Sequence, residues 1–238
     1  MTEAKLYALP GSHPCACVEG AMRLKGMSWD RVDLIPVLHK PVQKLLFGQP
    51  TVPGLQLDGE RIVGSRRILR RLDDLRPSPP LYPAERRAEV EELERWGDEV
   101  LQDVARRLSW AALRHAPEHT MSYAEGSDLP VPASMAKASA PLMVRAAAFG
   151  NGANDGSARR DLADLPGHLD KIDGATADGL LGGDPPNAAD LQIGSAVRLL
   201  LTVGDVRPLV EGRPCAELAR RLFPEYPGEV PAGTLPAA

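Results

Sequence analysis

The dipeptide Asp58-Gly59 stands between two short apolar-rich runs, residues 54–57 and 61–63. An Asp-Gly pair in that setting favours a two-residue turn with positive φ at both positions, so the stretch doubles back as a hairpin. Pro53 comes just before it. A proline cannot donate into a strand ladder, so it belongs at an edge or in a cis-proline turn. Gly64-Ser65 comes just after, and then Ile68, Leu69, Leu72 and Leu75 recur at helical spacing. Ser65 is placed to cap that helix, whose first turn would offer free N–H groups to an anion.

The chain before this unit reads as strand, helix, strand. Residues 5–9 form a short buried strand ended by Pro10-Gly11. After Ser12-His13-Pro14, residues 15–25 form a helix stopped by Gly26, with Cys15, Val18, Ala21 and Met22 on its buried face. Pro14 suits the first turn, where a missing N–H costs nothing. Residues 31–35 form the second strand, which completes a right-handed parallel βαβ unit. The polar stretch 36–50 has room for a short helix at 42–46. Residues 1–76 thus read as an α/β domain of βαβ-ββα order, and the Pro-rich residues 77–82 as a stiff linker.

Residues 83–238 read as an all-helical domain. Val90, Leu93, Gly97, Val100, Val104, Leu108 and Ala111 predict one long amphipathic helix over 83–114. A loop over 116–132 follows, then a helix over 133–149 and a turn over 150–156. A third helix over 158–173 must kink or break at Pro166. Leu191, Ile193, Gly194, Val197, Leu200 and Leu201 make a helix that is apolar almost all round, which predicts a central, buried position. A last helix covers 215–222. The tail 224–238 has no periodicity and is expected to be poorly ordered.

Composition narrows the class of function. The chain has 28 basic and 32 acidic residues, which recommends neither nucleic acid nor an anionic membrane as partner. The arginine pairs Arg66-Arg67, Arg70-Arg71, Arg86-Arg87 and Arg106-Arg107 alternate with acids and read as solvated helix faces. There is no apolar run of transmembrane length and no signal-peptide pattern at the start. Three cysteines, an odd number, do not make a disulfide framework, and a reducing, cytoplasmic setting fits them. Cys15 and Cys17 have no neighbouring ligands that would make a metal pair, so no metal is expected.

The order of these parts resembles the cytosolic glutathione transferase superfamily: a thioredoxin-like domain, a proline-rich linker and a helical bundle. The stretch 180–190, Leu-Leu-Gly-Gly-Asp-Pro-Pro-Asn-Ala-Ala-Asp, is similar to the box in which that family caps its core helix. Asn187 stands in the place of the hydroxyl residue and caps as well, with Asp190 reaching back. The resemblance covers roughly residues 4–222.

The resemblance implies that Ser12 occupies the active-site loop. There it would donate a hydrogen bond to the thiolate of glutathione, which then attacks a small electrophile. It further implies that Val52 pairs through its backbone with the thiol peptide, that Pro53 is the cis-proline and that Ser65 binds the γ-glutamyl carboxylate. Lys40 and His39 lie where the family places basic groups for the glycyl carboxylate. Gly64 stands where an acidic residue usually holds the ligand's ammonium, so the cosubstrate is glutathione or another low-molecular-weight thiol. A homodimer is implied as well.

Read from the residues alone, Ser12 serves equally as a helix cap, and one hydroxyl can fill both roles. His13 is expected in the solvent-exposed loop, with contact to the thiol or a substrate as the alternative. Cys15 is either a reactive thiol or a small buried hydrophobe. Trp96 and Trp110 read as core or interface, and Arg106, one turn before Trp110, can face the cleft. Two other functions compete with the transferase: a thiol-disulfide oxidoreductase using Cys15, and a non-catalytic binding module of the same fold.

Overall fold

The computed structural model describes residues 3–129 and 132–236. Residues 130–131 of the expected loop, 237–238 of the expected tail and 1–2 of the first domain lie outside the described residues. Asp58 and Gly59 take φ values of 48° and 86°, the left-handed pair their turn requires. They join β3 (Gly54–Leu57) to β4 (Glu60–Val63) as an antiparallel hairpin. Upstream, β1 (Ala4–Ala8), α1 (His13–Leu24) and β2 (Asp30–Asp33) form the βαβ unit, with β1 and β2 parallel. α2 (His39–Phe47) links the two halves and is longer than the short helix expected there.

The sheet order is β2-β1-β3-β4, and β3 runs antiparallel to β1 with Tyr7 opposite Gly54. Hence β3 is an interior strand. Pro53 stays out of its ladder by preceding it, after a cis Val52–Pro53 bond. α3 (Ser65–Leu75) turns Ile68, Leu69 and Leu72 into the core. Its N-cap is Gly64, at φ 91°, and not Ser65, which is the first helical residue and makes no capping bond. This register brings the end of β1, the start of β3 and the end of β4 together at one end of the sheet.

The linker is tied down from both sides. The Lys25 side chain is fully buried, and its Nζ donates to Asp73 Oδ1 (2.6 Å) and to the carbonyls of Arg76 (2.6 Å) and Pro79 (2.5 Å). The Leu81 N–H donates to the same Asp73 oxygen (2.7 Å), and the Leu81 carbonyl accepts from the Ala188 N–H (2.9 Å). Glu94, fully buried, accepts from the Tyr82 hydroxyl (2.7 Å) and from Arg66 and Arg70 of α3 (both 3.3 Å). So these two arginines are interdomain ties rather than members of a solvated face. Arg107 likewise makes a bidentate pair with Asp161 (2.7 Å each).

The long helix is interrupted. α4 (Arg87–Trp96) passes into a π turn (Gly97–Leu101) and then α5 (Gln102–His115). The wider turn shifts the buried stripe, so Leu101 is buried and Val100 is exposed, the reverse of the 3.6-residue reading for Val100. Gly97 begins the turn, and a Cβ there would lie 3.1 Å from Ile193, so the position favours glycine. After a 3₁₀ segment (Pro117–Ala124) come α6 (Ala133–Gly150) and α7 (Asp155–Ala177). α7 runs through Pro166 without a break. Buried Ala158 and Leu165 on one side and Leu169 and Ile172 on the other hold both halves against the core.

α8 (Ala188–Leu200) is buried along nearly its whole length. Asn187 Oδ1 accepts from the Ala189 and Asp190 N–H groups (2.9 and 3.1 Å). Asp190 accepts in return from Asn187 N–H (2.9 Å) and Gly182 N–H (2.7 Å). α9 (Arg207–Val210) and α10 (Pro214–Leu222) complete the bundle. The tail over 224–236 differs from the expectation of poor order. Val230 is fully buried and pairs with Thr202 and Gly204, and Asp205 accepts from the N–H groups of Gly233, Thr234 and Leu235. No apolar periodicity is needed for such a tail, because backbone pairing and one carboxylate hold it.

Asp190→Ala strands two N–H groups, those of Asn187 and Gly182, in a buried setting. The expected loss is about 2–4 kcal/mol, measured by urea unfolding.

Candidate functional site

The β1–α1 loop ends at Ser12, the N-cap residue of α1, whose N–H donates to the Leu9 carbonyl (3.2 Å). The Ser12 hydroxyl makes no capping bond. Its contact with the Cys15 sulfur one turn on draws that thiol's pKa down. The half-buried hydroxyl therefore caps no N–H group of α1, and the first-turn N–H groups of α1 point the same way as the helix dipole.

Across the end of the sheet, Val52 is half-buried, and its N–H and C=O pair with no backbone group among the described residues. The next carbonyl, of Pro53, accepts from the Gly64 N–H (3.0 Å), which locks the proline turn to the start of α3. Ser65 is buried at that start. Gly64 is needed for its φ of 91°, which strains any residue with a Cβ. Ser12, Val52, Pro53, Gly64 and Ser65 are thus gathered at one end of the sheet, with two helix N-termini among them.

Other expected residues are placed differently. His13 is buried, not solvent-exposed, and its Nε2 has no hydrogen-bond partner among the described residues. Burial, helped by the Arg106 charge, holds its imidazole well below the ordinary value, so it is neutral. Burial also pushes Arg106 down, against the pull of Asp103 and Asp98. Burial pushes the Cys15 thiol up to about 11, which outweighs the Ser12 hydrogen bond. At neutral pH about one molecule in 10⁴ would then carry a Cys15 thiolate. Cys15 is thus a buried thiol that burial keeps protonated, and Cys17 is raised by burial as well. Lys40 is exposed, and its Nζ lies against Gly150 at the end of α6, where a Cβ would come within 3.3 Å of it. His39 is half-buried with Nδ1 unpartnered.

Three neighbours of the site carried no sequence signal. Gln43 of α2 is fully buried with both amide atoms unpartnered, and a Cβ on Gly54 would lie 2.7 Å from its Oε1. Tyr123 packs its ring on Gly11, and Tyr226 from the tail donates to the Gly11 carbonyl (2.8 Å). Gln43 sits in a polar stretch, and both tyrosines sit outside any apolar period, so pattern reading passes over them.

A histidine held below its unfolded value takes up its proton more readily in the unfolded chain. The unfolded state therefore binds more protons between the folded pKa of His13 and about 6.5, so stability rises with pH in that window and falls on acidification. Urea unfolding at pH 7, 6 and 5 is expected to show this loss. His13→Gln should remove up to one proton, or about 1.4 kcal/mol per pH unit, from the slope. A smaller share of the same sign comes from His39.

Residues 6–80 match the family model described as "Glutathione S-transferase, N-terminal domain". None of the curated proteins matches the sequence. Among solved structures, the chain is similar to a beta-etherase, LigF, from Sphingobium sp. strain SYK-6, with 20% identity, 92% of this chain and 98% of that chain covered, and a TM-score of 0.63. It is also similar to a glutathione S-transferase from Rhodospirillum rubrum F11, with 19% identity, coverage of 98% and 96%, and a TM-score of 0.62. A third is maleylacetoacetate isomerase from Anaeromyxobacter dehalogenans 2CP-1 with bound GSH in the active site, with 19% identity, coverage of 93% and 88%, and a TM-score of 0.50. Residues 6–80 thus match the glutathione S-transferase N-terminal domain, and these solved structures share their fold with nearly the whole chain.

Proposed function

We propose that the chain binds glutathione, or another low-molecular-weight thiol, and presents its thiolate to a small electrophile. The observation that carries this reading is the convergence at one sheet end. Unpaired Val52 backbone, the α3 N-terminus with Ser65, and the uncommitted Ser12 hydroxyl at the α1 N-terminus all meet there. Val52 would pair with the peptide-like backbone of the thiol. Ser65 and the first turn of α3 would bind a carboxylate. Ser12 and the α1 N-terminus would hold the sulfur. A thiol of ordinary pKa is mostly protonated at neutral pH. Lowering it by one to two units corresponds to about 1.4–2.7 kcal/mol in favour of the thiolate. That the isomerase neighbour holds GSH in its active site makes glutathione the first thiol to test.

The oxidoreductase reading is disfavoured by Cys15. A buried thiol raised to about 11 is a poor attacking group, and Ser12 holds the position ahead of it. With the folded protein, iodoacetamide at pH 7 should leave Cys15 unmodified for hours, and urea should expose it. Rapid, selective labelling of Cys15 would restore the oxidoreductase.

Calorimetric titration of the reduced protein with glutathione tests the transferase directly. Binding in the micromolar to low-millimolar range is expected, weakened about tenfold or more in Ser65→Ala. Ser12→Ala should keep the binding and lose about 10- to 100-fold in turnover of an electrophile, the scale of one hydrogen bond to a charged group. Absence of binding for every low-molecular-weight thiol tried would leave the non-catalytic module.

A further inference from the structure

The last stretch of the chain reaches the first loop. The Tyr226 hydroxyl donates to the Gly11 carbonyl oxygen at 2.8 Å. Gly11, at φ 68°, is pressed from the other side by Tyr123, whose ring would be 2.7 Å from a Cβ. The same ring lies against Gly228 of the tail, and its hydroxyl is 2.7 Å from Thr202 Oγ1. Arg198 stands over the Tyr226 ring at 5.7 Å and donates to the Phe223 carbonyl at 2.7 Å. Downstream, Val230 pairs with Thr202 and Gly204, and Asp205 gathers residues 233–235. A continuous set of contacts therefore runs from the tail to the peptide group that precedes Ser12.

We infer that Tyr226 is a positioning residue for the sulfur site at position 12, which extends the thiol-activating reading above. It fixes the Gly11–Ser12 peptide and covers the negative end of the Gly11 carbonyl with a hydroxyl proton. A thiolate held beside Ser12 then faces less repulsion from that oxygen. Burial holds the Tyr226 hydroxyl well above its ordinary value, so it remains a donor throughout the working pH range.

The test does not depend on any ligand. Ser12→Cys places a reporter thiol at the site, and its pKa is read from the rate of iodoacetamide alkylation against pH. The three native cysteines, all buried, serve as the silent background. Adding Tyr226→Phe keeps the ring and removes the hydroxyl. The reporter pKa is expected to rise by about half a unit or more, a three-fold or larger loss of thiolate at neutral pH. Tyr123→Phe removes a comparable hydroxyl that bonds Thr202 and not Gly11. It should lower the melting temperature and leave the reporter pKa unmoved. Equal reporter pKa with and without Tyr226→Phe, or an equal rise with Tyr123→Phe, would overturn the assignment. Glutathione binding is measured separately on the unmutated chain. Its absence would defeat the transferase reading and leave this result standing.

Discussion

The N-terminus of α8 is buried, and four N–H groups at a helix start cannot be left without acceptors away from water. Asn187 and Asp190 answer that constraint with reciprocal bonds, and Asp190 also takes the Gly182 N–H. Burial pushes the Asp190 carboxyl up, while the N–H donors of Gly182 and Asn187 pull it down. The rest of the architecture hangs from this cap. α1, α4, α5 and α10 all pack on α8, and α1 is the element that delivers Ser12. The cap that seats α8 thus also supports the helix that carries Ser12 at its start.

The two domains meet through polar groups that would be costly if left alone. Glu94 is fully buried, and burial pushes its carboxyl up even with Tyr82, Arg66 and Arg70 around it. Such a cluster adds little net stability compared with apolar packing, yet losing one member would leave the others buried without a partner. It therefore sets the relative placement of α3 and α4 more than it strengthens the fold. Ser12 and Cys15 show the same selectivity at close range. They are one helical turn apart, but the first hydroxyl is half-buried at a helix start and the second group is sealed beneath it.

Much of the frame was legible in the residues. The Asp58-Gly59 turn, the βαβ order and the Asn187–Asp190 cap follow from local chemistry, which acts over a few positions and so leaves a local signature. The misreadings came from interactions between distant segments. Val100 left the core because the π turn that begins at Gly97 shifts the buried stripe, and Gly97 itself meets Ile193 of α8. His13 is buried, within the field of Arg106 from α5, and Arg66 and Arg70 are interdomain ties because Glu94 lies across from them. Around the candidate site, Ser12, Pro53 and Ser65 carry turn and helix-start signals in the sequence, while Val52 was pointed to only by the family resemblance. Gln43, Tyr123 and Tyr226 carry neither, since nothing about a lone glutamine or tyrosine marks the partner it will meet.

The bond between Tyr226 and Gly11 joins residues 215 positions apart. A ribosome releases the first domain long before it makes the tail, so a nascent chain can form the sheet, α1 and α3 while the loop before Ser12 still lacks its last restraint. The hydrogen bond that finishes the loop becomes available only once residue 226 has left the ribosome. Local folding therefore comes early, and the last restraint on the loop waits for a segment made more than two hundred residues later.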